Sequence, residues 1–73
     1  MRAFQDSQSR RWQAALLEAS YGQVLLILSP LQGDGVLQAV MPAEHLAEAE
    51  AQLAALDDDA LRALLAQAAP WGG

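Results

Sequence analysis

The sequence predicts an α+β fold: a small antiparallel β-meander, or partly open barrel, of about four to five strands followed by two C-terminal helices. Three observations predict it. Residues 1–41 alternate short apolar, β-branched runs with clusters of turn residues, whereas residues 42–71 are rich in alanine and leucine with apolar positions three and four apart. Pro30, Pro42 and Pro70, together with Gly33 and Gly35, punctuate the chain where one kind of pattern gives way to the next. At 73 residues the chain is expected to be a single domain, residues 1–73, with a meander half and a helical half.

Taken in order, residues 2–6 read as a strand, and Ser7-Gln8-Ser9-Arg10 as a polar turn. Residues 11–19 read two ways. Their Ala, Leu, Gln, Glu and Arg content is helical by propensity, with Ser9 as a cap and Gly22 as a C-terminal glycine. Their context is that of a strand leaving one turn and entering another at Tyr21-Gly22, and a two-stranded ribbon needs a third strand to be stable. The strand reading is preferred here. Val24 to Leu28 is a continuous apolar run with Val24, Leu26 and Leu28 on one face and Leu25 and Ile27 on the other, so both faces need cover. Gly33-Asp34-Gly35 then turns the chain into a strand from Val36 to Met41.

Pro42 is read as a first-turn proline with Glu44 behind it, opening a helix of about 14 residues through Leu46, Ala49, Leu53 and Leu56. In Asp57-Asp58-Asp59 the first or second aspartate can cap a second helix, with Ala60, Leu61, Leu64, Leu65 and Ala68 as its apolar stripe. Pro70 stops that helix, and Trp71 is expected to fold back over the helix pair.

Composition narrows the function. Leucine occurs 13 times and alanine 16 times, far too apolar a content for a disordered chain. A domain this small buries only about 60% of its unfolded surface. With no cysteine it has neither a disulfide nor a thiolate metal site to compensate, which leaves a dense core or a partner. The longest apolar run is far short of a membrane span, and residues 1–6 hold no signal-peptide core, so a soluble, cytoplasmic protein is expected. The formal net charge is −5: residues 1–40 balance three arginines against three acids, and the helical half carries the whole excess. A phosphate backbone would be repelled by that half, which weighs against nucleic acid as a partner.

Candidate chemistry is sparse. His45 and Glu48 are three apart on one helical face and could share a metal, but no second histidine and no cysteine completes a ligand set. An ordinary surface histidine is the preferred reading. Ser7, Ser9, Ser20 and Ser29 sit in turns or at strand ends, where hydroxyls bond the local backbone, and none lies in a Gly-x-Ser-x-Gly elbow. Gly-Asp-Gly is too short for a phosphate loop, and the three aspartates lack the spaced ligands of a calcium loop. No catalytic residue and no cofactor is expected.

Arg10, Arg11 and Trp12, with Tyr21, combine cations and aromatic rings as single-strand binders do, although Trp12 also suits the core of the meander. By element order and strand length, residues 2–41 resemble the Sm-like small β-barrels of RNA-associated proteins, with the difference that the helices here follow the strands. The resemblance implies a curled sheet and, as an alternative partner, single-stranded RNA; no residue is carried over from the family, and the candidate contacts of that alternative are the four residues read above from their own chemistry. The leading expectation is different: a non-enzymatic interaction module that works as a homo-oligomer, most simply a dimer. Its candidate self-association residues are Val24, Leu25, Leu26, Ile27, Leu28 and Leu37.

Overall fold

The computed structural model describes residues 2–19 and 22–71. The strands are β1 (Arg2–Gln5), β2 (Arg11–Glu18), β3 (Val24–Pro30) and β4 (Leu37–Val40); the helices α1 (Leu46–Ala55) and α2 (Asp58–Gln67) follow, and β5 (Ala69–Pro70) ends the order. The five strands form one antiparallel sheet in the order β1-β2-β3-β4-β5. The arrangement is α+β. The ambiguous second segment is a strand, paired with β3 from Trp12↔Pro30 to Glu18↔Val24. Cross-strand pairing on two sides thus outweighs its helical propensity.

Alternation along the strands sends Phe4, Trp12, Ala14, Val24, Leu26 and Leu28 to one face, where they are buried together with Ala49 and Leu53 of α1 and Leu61 of α2. Phe4 lies opposite Trp12, and Ala14 opposite Leu28. The small Ala14, fully buried between its large neighbours, leaves room for the helices to approach. Helix α1 packs on β2, while α2 touches both β1 and β4, so the sheet curls around the second helix.

The first hairpin is organised by Asp6. Its carboxylate accepts from the backbone N–H groups of Gln8 (2.8 Å) and Arg10 (2.9 Å) and from the indole N–H of Trp12 (3.0 Å). The turn closes with Asp6 N–H donating to the Arg10 carbonyl at 2.8 Å, and Ser9 adopts a left-handed conformation, φ 64°. The trio of bonds holds the Asp6 carboxyl below its ordinary pKa. The indole bond is the largest cause; partial burial opposes it, and the two backbone donors and the Arg10 charge add to it.

Several expectations need correction. Helix α1 is ten residues long and starts at Leu46, with Pro42, Ala43 and Glu44 in the approach to it. The N-cap is His45, whose Nδ1 accepts from Glu48 N–H at 3.4 Å, while the Glu48 carboxylate accepts from Glu44 N–H at 3.1 Å. The first bond satisfies a donor that the helix end leaves free, and the second ties the approaching chain to the first turn. Asp57 caps α2 as expected, accepting from Ala60 N–H at 2.8 Å. Helix α2 ends at Gln67, before Pro70, and the chain then runs along β4: Leu37 pairs with Pro70, Gln38 with Ala69, and Trp71 N–H donates to the Val36 carbonyl at 3.0 Å. The Trp71 backbone therefore continues along the sheet edge, and its side chain is 38% exposed.

Two arginines fasten the helices to the sheet. Arg2 on β1 donates to the carbonyls of Leu53 (3.3 Å) and Leu56 at the end of α1, and pairs with Asp58 at the start of α2 (3.2 Å). Helix α1 has no basic residue in its last turn, so Arg2 supplies from the sheet the cation that its negative end favours. Arg62 on α2 donates to the Gln5 carbonyl at 2.8 Å and pairs with Asp59 at 2.6 Å, which covers part of the β1 edge.

Candidate functional site on the uncovered face of the sheet

Both helices pack on the face that holds Trp12 and Leu26; Leu64 and Gln67 of α2 border the opposite face beside Leu25, Gln38 and Val40, and the rest of that face has no cover from the described residues. The strand registers arrange that face in rows. Leu17, Leu25 and Val40 form one row, and Ala15, Ile27 and Gln38 the next. Gln13 and Ser29 lie opposite one another in a third, and Gln5 and Arg11 close the far end. The face grades from apolar at the Val40 end to polar at the Arg11 end. Val40 is 62% exposed and Leu17 39%, while Leu25 and Ile27 are half-buried among their neighbours.

The face carries no acidic side chain. Glu18 belongs by alternation to the opposite face, Asp6 and Asp34 lie in turns, and the remaining six acids lie in the helical half. In a chain of net charge −5 this leaves one broad surface on which like charges would not meet.

Of the six residues expected at a self-association surface, Val24, Leu26 and Leu28 are fully buried under the chain's own helices, and Leu37 packs on the same core. The expectation is corrected for these four, because their side chains are taken up by the molecule's own interior. Leu25 and Ile27 face outward. Leu17, Val40 and Ala15 join them, and sequence reasoning missed all three. Period-two alternation in β2 and β4 was the available signal, but it identifies a face only once strand registers are known.

Of the four residues of the nucleic-acid reading, Arg10, Arg11 and Trp12 are described. Trp12 is 8% exposed with its indole bonded to Asp6, so its ring offers no platform for a base. Arg10 and Arg11 are exposed, and Arg11 projects to the uncovered face because Trp12 beside it points inward. Tyr21 lies outside the described residues, as does Ser20. His45 is occupied as a helix cap, and among the described residues no three side chains of metal-ligating type cluster. Among them, too, no helix is long and apolar enough to cross a membrane.

No protein-family model, curated protein or solved structure matches the chain.

Proposed function

We propose that the protein is a cytoplasmic, non-enzymatic interaction module that works as a homodimer, two copies packing the uncovered faces of their sheets together. The observation that carries this reading is the row Leu17–Leu25–Val40 with Ala15 and Ile27 beside it, apolar and free of acids, with Leu17 and Val40 exposed and the other three half-buried. A second copy fits for two reasons. Facing sheets bury both rows at once at the ordinary spacing of a β-sandwich, about 10 Å. The acidic helices of the two copies are then kept on opposite outer sides of the pair, so the net charge does not oppose association. Size is also adequate. The molecule measures 33 × 27 × 18 Å, and its broad face offers on the order of the 800 Å² that each partner of a standard interface buries.

A single-stranded RNA reading in the manner of Sm-like proteins would need a stacking ring beside Arg10 and Arg11, and the Trp12 ring is inside the core.

The test is light scattering across a dilution series, on the native chain and on Val40→Asp. At 62% exposure, Val40 can accept a charge without disturbing the folded chain. The native protein is expected at twice the chain mass at micromolar concentration, and Val40→Asp at the mass of one chain with an unchanged far-UV circular dichroism spectrum. A native chain that stays monomeric throughout the series would overturn the proposal.

A further inference from the structure

Away from the apolar rows, at the polar end of the sheet, Gln5, Ser9, Arg10, Arg11, Leu31 and Gln32 line a cleft of about 560 Å³. Four features set it apart. Among the described residues, Arg2 and Arg62 make the ion pairs, and Arg10 and Arg11 at this one end make none. The neighbouring Asp6 forms no ion pair with either: its carboxylate accepts from the N–H groups of Gln8, Arg10 and the Trp12 indole, and feels the Arg10 charge only at longer range. Ser9 is held in a left-handed conformation, φ 64°, in which residues other than glycine are strained. Strain of this kind gathers at sites that clamp ligands. Leu31, 46% exposed, supplies an apolar wall and is tied to β2 by its N–H bond to the Arg11 carbonyl at 3.0 Å.

We infer that this cleft binds a phosphate group. A phosphomonoester carries nearly two negative charges and three acceptor oxygens at neutral pH, which two guanidinium forks, the Ser9 hydroxyl and the amides of Gln5 and Gln32 match in charge and in donors. A carboxylate, with one charge and two oxygens, would leave one fork unused. Leu31 stands where the organic part attached to the phosphate would pack. Gln5 and Arg11 close the polar end of the same sheet face, so the cleft borders the surface proposed for the dimer.

The test is a titration of the full-length, isotope-labelled protein at constant ionic strength, followed by amide chemical shifts, with inorganic phosphate, a nucleoside monophosphate, a short single-stranded oligonucleotide and acetate as separate probes. Saturable shifts confined to Ser9, Arg10, Arg11, Leu31 and Gln32 are expected with inorganic phosphate, and none that saturate with acetate. An Arg10→Gln/Arg11→Gln variant should bind at least about tenfold more weakly with the same circular dichroism spectrum, since both side chains are exposed. Tighter binding of the mononucleotide than of phosphate would identify a small phosphorylated molecule as the source. Tight, steeply salt-dependent binding of the oligonucleotide alone would identify a nucleic-acid backbone. Shifts no larger than a chloride control, acetate binding as tightly as phosphate, or an unchanged affinity in the double variant would each overturn the inference. Repeating the titration on Val40→Asp reads the cleft separately from self-association.

Discussion

Asp6 and Arg2 show how much of a small fold can rest on single polar side chains. Asp6 gathers three N–H donors and fixes the first hairpin, and because its folded pKa is lowered, its contribution is fully present above the ordinary aspartate range. It is lost as pH falls through the lowered folded value, since protonation removes the charge that those donors favour. Acid titration followed by Trp12 fluorescence should therefore show a transition on the acid side of the ordinary aspartate range. Asp6→Asn should remove that transition and lower the melting temperature at neutral pH; an unchanged titration would mean that the hairpin does not depend on the charge. Arg2→Met keeps the apolar stem but loses the contacts to the end of α1 and to Asp58. Its expected cost is about 1–2 kcal/mol, read from urea denaturation, with the loss reduced at high salt. Neither role was visible in the sequence. An arginine near the N-terminus reads as one more surface charge, and only the approach of β1 to the α1–α2 joint gives it carbonyls to cap.

Among the elements, those with strong local signals were legible and those decided by neighbours were not. The cap of α2 was legible as far as Asp57 or Asp58, because an aspartate before an apolar stripe has few other uses; the structure gives the place to Asp57, and Asp57→Ala should cost about 1 kcal/mol with reduced helix signal. The start of α1 was misplaced because proline in a first turn and proline in the approach to a helix look alike in sequence. His45, an uncommon cap, takes the position. Strand β2 is the opposite case: its residues favour a helix, and the β1 and β3 ladders on either side make it a strand. β5 has two residues and no strand pattern of its own, so it exists only because α2 delivers the chain beside β4. Its brevity leaves most of that edge to be protected by other means.

For the molecule as a whole, stability and association are coupled. Total stability for a domain of this size is of order 4–10 kcal/mol. Leu26 is fully buried at the centre of the core, so Leu26→Ala should cost about 2–5 kcal/mol and leave the chain largely unfolded at dilution. If the uncovered face is shared between two copies, the native melting temperature should rise with protein concentration while that of Val40→Asp stays constant. Concentration-independent melting of both would locate all of the stability in one chain.

The sequence by itself determined the class of the fold, the meander followed by two helices, the concentration of negative charge in the helical half, and the excess of apolar residues on β3. These follow from local periodicity, turn chemistry and composition, which act over a few residues at a time. Only the tertiary structure decided which side of β3 meets the helices, that Trp12 turns inward while Arg11 turns outward, and that Leu17 and Val40 complete an apolar row with Leu25. The physical reason is register. A strand's side chains alternate faces with a period of two, so the assignment of every residue to core or surface depends on how strands distant in sequence align.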